Sequence, residues 1–566
     1  MRSMNMKNAT FKTRLFLTLM VAVTLLSVPA AFAAAPGITG PTFNLTAQQA
    51  YLNQPDGEAI YSWGYGCNGA PAGFLPTGTA AMPGATCPTM QVPGPTLIVH
   101  ENDTVTVHLL NGLPTAAGNT SILFPGFTLT STTCAAPAVQ GLLACEAAPG
   151  GSVTYTFTAS APGTHAYYSG TQGDLQVEMG LYGAIIVLPA TVPANCTTGY
   201  HAQNGTARGA HGETDYRLSQ AAYDHPGSCY DREYLFQWAE MDSRIHRQAQ
   251  AQVAALLGCT AGAAGCSLNV QTEPYHPAYF LINGRSMPDL MDPNYAGEYP
   301  HQPYNGNPHM HLGELTLIRT IGQGRWQHPF HEHANHVRIL ARDGNLVLSG
   351  STTNVSYSDG LGTAVPGRGL AGTLMFNTDT TPGEAFDGIF YFTGRGLNWD
   401  PYAHHPVSSS NDPLAILSCT PDVNGYNSGA PAALNFMEWC QDHNKPVQVN
   451  PFGDVPAGGP ATLPDPNAFT NGPWYGGSPY LGPDASLRGN APACTSNALT
   501  GAATPGTNCT NLSPANLQLN PATERGWAFM WHSHNEREIT TNNVFPGGML
   551  MMMLVDSREF VINESQ

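Results

Sequence analysis

Short runs of alternating apolar and polar residues recur through most of this chain. The clearest lie between Val92 and Leu110. Leu97 and Val99 alternate with their neighbours, Glu101-Asn102-Asp103 interrupts, and Val105, Val107 and Leu109 alternate again. Side chains two apart on a strand share a face, so the pattern predicts two strands and a turn. Similar strands are predicted at 153–157 and 183–188, and then at 233–238, 279–282, 315–318, 336–340, 373–376, 388–393, 528–531 and 549–555. They group into one all-β domain at 38–190 and a second at 233–566, joined by a linker at 191–232. From 400 to 523 the pattern lapses into Gly, Pro, Asn, Ser and Ala. So long a loop is unusual in a compact domain. It reads as an insertion pinned by cysteines, serving as a lid or a partner surface, with a small separate domain as the alternative. Helical periodicity is scarce, and its best candidate is 243–257. No period of 20–50 residues signals a repeat architecture.

Composition sharpens this picture. With 61 Gly, 47 Pro and 11% charged residues, the chain is turn-rich. Its 39 acidic residues against 21 basic ones argue against nucleic acid and anionic membrane as partners. Arg2, Lys7, Lys12 and Arg14 precede an apolar run at 15–28, and Ala31-Phe32-Ala33 then fits a small-x-small cleavage site. That is a signal peptide at 1–33. The run falls short of the ~20 residues that span a bilayer. The expectation is an exported protein, periplasmic or extracellular, with no membrane span after signal removal. The 12 cysteines then read as disulfides. Neighbour pairing is the simplest arrangement: Cys67 with Cys87, Cys134 with Cys145, Cys196 with Cys229, Cys259 with Cys266, Cys419 with Cys440, and Cys494 with Cys509.

Chemistry concentrates in two histidine pairs on predicted strands, His331-Glu332-His333 and His532-Ser533-His534. Each pair offers two imidazoles in one direction, and neighbouring strands could offer four. Neutral imidazole suits copper, zinc, iron and nickel. A lone pair of this kind usually means nothing, and packing without metal is the competing explanation.

The strings around these pairs resemble the multicopper oxidase family, in the form built from two cupredoxin domains. His328-Pro329-Phe330-His331-Glu332-His333 fits its HPxHxH segment, and His532-Ser533-His534 fits the start of its HCHxxxH segment. Arg342-Asp343-Gly344, Pro382-Gly383-Glu384, Trp531 and Gly548-Met549 agree, as do Pro93-Gly94-Pro95 and Gly180-Leu181-Tyr182-Gly183 in the first domain. The resemblance covers roughly 90–190, 233–395 and 523–556, and leaves out the insertion. It implies an all-β fold of two Greek-key cupredoxin-like β-sandwich domains, copper as cofactor, and oxidoreductase chemistry. Carried over by position, His331, His333, His532 and His534 are cluster ligands, and His328 is a ligand of the electron-accepting type 1 copper.

The departures matter as much. Ser533 stands at the thiolate position and Glu538 at that of the second type 1 histidine. A blue copper site needs the thiolate, so only His328 remains of that set. Leu123, Pro125, Tyr168 and Gly170 occupy the first-domain cluster positions and would face the four histidines across the domain interface. Half of the cluster histidines survive, all in the second domain. Four-electron oxygen reduction is therefore not expected, while a mono- or dinuclear copper centre is. One expectation is an exported copper-binding protein with weak oxidase or storage activity, taking copper ions and a small reductant or protein partner. The other is a metal-free cupredoxin scaffold whose insertion docks a partner. His309-Met310-His311 reads as a solvated loop, His165 and His336 as non-ligands, and Met549 to Met553 as a buried terminal strand.

Overall fold

The computed structural model describes most of residues 35–392, 420–440 and 526–564, together with the strand Ser478–Tyr480. The expected signal peptide, most of the expected insertion, His404, His405, Cys419, Cys494 and Cys509 lie outside the described residues.

The described residues are mostly β-strand, arranged in two sandwiches. In the first, a five-stranded sheet runs Gly163–Tyr168, Tyr182–Leu188, Leu97–His100, Gly37–Thr39, Phe74–Leu75. A four-stranded sheet runs Ala59–Cys67, Thr42–Asn53, Thr104–Asn111, Ser152–Thr158. Val105, Val107 and Leu109 point inward with Phe43, Trp63 and Phe157, and their polar neighbours face out. This is the alternation of a sheet covered on one side.

The second sandwich also has two sheets. One runs Tyr279–Ile282, Arg232–Met241, Leu315–Gly322, Ala385–Tyr391, Val337–Arg342, Asn345–Leu346. The other runs His309–His311, Leu550–Asp556, Gly526–Ser533, His328–Glu332, Asn377–Thr380. Trp238, Phe330, Phe390, Trp527, Trp531 and Met551 fill the space between them.

The two sandwiches meet sheet to sheet. Ala166, Ala184 and Ile186 pack on Leu235, Ile321 and Ala385. Every residue of Tyr182–Leu188 and of Arg232–Met241 is buried, because each strand has a core on one face and the joint on the other. Doubly covered strands lose the polar alternation, as the run Ala184-Ile185-Ile186-Val187 shows. The joint contains polar groups as well. Thr164 donates to Asp387 at 2.6 Å, and Arg319 binds Glu233 at 2.9 Å and Thr164 at 3.0 Å.

Two helices stand out. Ser243–Ala255 was expected, and Asp242 caps it by accepting from the Arg244 amide at 3.0 Å. Gly199–Ala210, inside the expected linker, was not expected. Its glycines weaken intrinsic propensity, and tertiary contacts hold it instead: His201, Asn204 and Arg208 all bind Asp231. The expectation of a solvated loop at His309-Met310-His311 is also overturned. The segment is a buried strand, with His309 paired to Asp556 at 2.9 Å and His311 to Glu213 at 2.5 Å.

Four of the expected neighbour disulfides are formed: Cys67–Cys87, Cys134–Cys145, Cys196–Cys229 and Cys259–Cys266. Cys440 is also disulfide-bonded. The described parts of the insertion lie on the second sandwich. Phe436 is fully buried under the Arg558 guanidinium, and Ser478–Tyr480 adds a short antiparallel strand to Gly526–Ser533.

Arg232 ties distant parts of this body together. Its guanidinium reaches Glu314 at 2.5 Å, Glu213 at 2.6 Å and Glu564 at 3.0 Å, all buried. Removing it takes the shared guanidinium from three buried carboxylates. Arg232→Ala is therefore expected to destabilise by about 3–5 kcal/mol or more, read as a lowered unfolding midpoint. A midpoint within one degree or so of wild type would contradict this account.

Candidate metal centre

The strands His328–Glu332 and Gly526–Ser533 pair antiparallel, with Phe330 opposite Ser533, His331 opposite His532, and Glu332 opposite Trp531. Directly opposed side chains share a face, their Cβ atoms about 4.5–5.5 Å apart. The register therefore brings one imidazole from each strand together. His333 and His534 follow just past the strand ends. Two contacts fix them there: the Trp531 indole donates to the His333 carbonyl at 3.0 Å, and the His534 amide donates to the Pro329 carbonyl at 2.8 Å.

All four rings gather. The His331 ring lies 4.7 Å from that of His333, 5.3 Å from His532 and 4.9 Å from His534, centre to centre. Ring nitrogens of His331, His333 and His532 come within 4.8 Å of one another. His534 stands beside this trio rather than in it. The Nδ1 atoms of His331 and His532 donate to the carbonyls of Phe376, at 2.5 Å, and Ser533, at 2.7 Å. Those bonds select the tautomer that leaves the lone pair on Nε2. His532 Nε2 and His333 Nε2 are 3.3 Å apart. Two nitrogens bound to one ion at ~2.0–2.1 Å and a tetrahedral angle stand about 3.3 Å apart, so this pair already has the spacing of a shared ion.

Electrostatics favour neutral rings. Burial first, and then the neighbouring imidazoles, lower His331 to about 4. Burial likewise lowers His532. Among the described residues, His331, His333 and His532 are half-buried and His534 is exposed. Behind them, burial pushes the Glu332 carboxyl well above the usual range.

His328 is not part of this group. It is three residues from His331, an odd spacing that turns it to the opposite face of the strand. There it is fully buried between Glu240, at 2.9 Å from Nε2, and Glu538, at 2.9 Å from Nδ1. Glu240 is the residue that sequence reasoning missed. It lies 88 positions from His328, and nothing in its local string marks it.

Three of the first-domain positions share a cavity. Leu123, Tyr168 and Gly170 line a cavity of about 280 Å³ with Gln323, Gly324 and Gly383. Pro382 and Gly383 follow Thr380, the partner of His328, whereas His331 pairs with Asn377 at the other end of that strand. None of the four histidines is among the residues that line this cavity. His165 packs on Phe127 and His336 on Phe376.

Comparison with known proteins matches part of the chain. Residues 85–192 match the family model described as multicopper oxidase. An L-ascorbate oxidase of Brassica rapa subsp. pekinensis is 39% identical over 97 residues, which is 17% of this chain and 16% of that protein. Laccase-3 of Botryotinia fuckeliana is 37% identical over 103 residues, 18% of this chain and 21% of that protein. The matched stretch thus spans well under a quarter of either relative. Among solved structures, a blue copper oxidase from Nitrosomonas europaea is similar over 90% of this chain and 85% of its own, at 14% identity and a TM-score of 0.41. A copper nitrite reductase from the same organism is similar over 62% of this chain and 84% of its own, at 18% identity and a TM-score of 0.34. The likeness to multicopper oxidases is thus carried by residues 85–192, under a fifth of the chain.

Proposed function

We propose that this is an exported copper-binding protein with one altered centre, mono- or dinuclear, held by His331, His333, His532 and His534. The observation that carries this reading is the 3.3 Å approach of two imidazole nitrogens from strands far apart in sequence, with a third imidazole in reach. The donor set fits. Imidazole is a good ligand for copper, and two of the rings are held in the tautomer that presents Nε2. Copper, when bound, supplies one-electron redox chemistry. The chain's own contribution is to hold four rings on one face, disfavour the charged form of His331 and His532 by burial, and fix the orientation of those two through the carbonyls of Phe376 and Ser533.

Two features limit the activity proposed. The thiolate position is Ser533, so a rapid electron entry site is absent from this reading. The first-domain cluster positions are Leu123, Pro125, Tyr168 and Gly170, so a full trinuclear cluster is absent too. Copper binding with weak one- or two-electron turnover, or with storage alone, follows. The leader at 1–33 supports export. The insertion at 400–523 supplies the surface for a small reductant or a protein partner.

Metal analysis of protein purified without chelator tests the proposal. Copper is expected in wild type, without the intense visible band of a thiolate site. His331→Ala and His532→Ala each remove one imidazole from the facing pair. Each should weaken copper by more than the ~10–100-fold typical of outer-shell changes, with the circular dichroism spectrum unchanged. Any oxidase activity should fall in step with copper. Wild-type protein that takes up no copper, with histidine variants that match it in every property, would return the metal-free scaffold.

A further inference from the structure

The inner face of the strand His328–Glu332 carries a second polar cluster, separate from the four histidines. His328, Glu240, Glu538 and Ser533 are each 3% exposed or less. The Ser533 hydroxyl donates to Glu538 Oε2 at 2.5 Å, and Asn535 Nδ2 donates to Oε1 at 2.9 Å. Glu240 Oε1 accepts from the amides of Arg325, at 2.7 Å, and Trp326, at 2.9 Å, and from the Tyr275 hydroxyl at 3.0 Å. Beyond Tyr275 lies Glu178, 2.6 Å from the same hydroxyl. The loop reaches Glu240 because Gly324, at a φ of +70°, has no side chain: a Cβ there would stand 2.5 Å from Glu240 Oε2.

By position, His328, Ser533 and Glu538 are what remains of the family's electron-accepting copper site. We infer that this site has been rebuilt as a metal-free cage, in which His328, as an imidazolium, takes the place of the metal ion between Glu240 and Glu538. Each ring nitrogen faces a carboxylate oxygen at 2.9 Å, and an ionised carboxylate only accepts. Both nitrogens must therefore carry hydrogen, and neither has a lone pair to offer. Entry of copper would require loss of that proton and ligation by one imidazole among oxygens, with no thiolate or second imidazole. Among the described residues, the one group of three or more such side chains with donor atoms close enough to share an ion is His331, His333 and His532. Burial alone would lower the His328 pKa, but the hydrogen bonds and charges of Glu240 and Glu538 outweigh it and push the ring up to about 9.

The cage also has a mechanical role. Glu538 bridges His328 and Ser533, so it ties the two histidine-bearing strands together behind their outward pairs. The inference goes beyond the four-histidine reading and is tested separately from it. Nitrogen-15 spectra of the full chain, labelled at histidine and titrated anaerobically with Cu(I), read each ring. His328 should show two slowly exchanging ring N–H protons through neutral pH, deprotonate near 9 rather than near ~6.5, and stay unshifted when Cu(I) is added. A His328 signal that shows one N–H at neutral pH, or that loses its N–H on copper addition, overturns the inference. This holds whether or not the four outer histidines take copper.

His328→Gln supplies a second measurement. Because the folded pKa is raised, the stability contributed by the cage is complete below ~6.5 and is lost as pH rises through about 9. Wild type should therefore lose its stability advantage over the variant across that window, while copper per chain stays the same in both. A variant that lacks one copper equivalent would show that the cage binds metal. If the variant does not fold, the wild-type spectra decide the question.

Discussion

The antiparallel register that sets His331 opposite His532 is the constraint on which the rest of the site depends. Strand side chains alternate with a period of two, so a slip of one residue would turn both outward imidazoles inward and bring Phe330 and Glu332 to the surface. The register is held from both sides. Phe330 is locked among Trp238 and Trp531 in the core, and the neighbouring strand Leu550–Asp556 pairs along the whole of Gly526–Ser533. The apolar packing of the sandwich thereby fixes the polar chemistry on its other face.

The same alternation divides one short strand into two chemical environments. Outward, His331 is half-buried among other imidazoles, where burial and crowding disfavour a charge. Inward, His328 is more deeply buried, yet two carboxylates make the charged ring the favoured one. Burial disfavours charge in both places. The difference is the neighbour, imidazole in one case and carboxylate in the other. Two histidines three residues apart have thus taken opposite protonation behaviour from the environments on either side of one strand.

Much of this was legible in the sequence where the signal is local. Alternation located the strands on either side of the turn at Glu101-Asn102-Asp103, and the HxH spacing put two rings on one face. Adjacency paired Cys67 with Cys87 and three further couples. What escaped was set by partners far away in sequence. Gly199–Ala210 is a helix because Asp231 receives its polar face, not because its residues favour helix. His309 and His311 are buried because Asp556 and Glu213 meet them across 247 and 98 positions of chain. Glu240 belongs to His328 through a pairing of sheets that no local string encodes. The odd spacing of His328 and His331 was visible, and it already separated their faces, but it could not say what lay on the inner one.

His333 and His532 are 199 residues apart. Closing a loop of that length costs about 5 kcal/mol of chain entropy beyond the constant term, and it is the sandwich core that meets this cost, not the rings. In the unfolded chain each HxH pair stands alone and offers an ion two nitrogens at most. Any ion held by both pairs therefore binds the folded state more tightly than the unfolded one. By thermodynamic linkage, whatever affinity the ion gains from folding returns as stability of the strand pairing. Metal occupancy and the closure of the second sandwich are then two readings of one equilibrium.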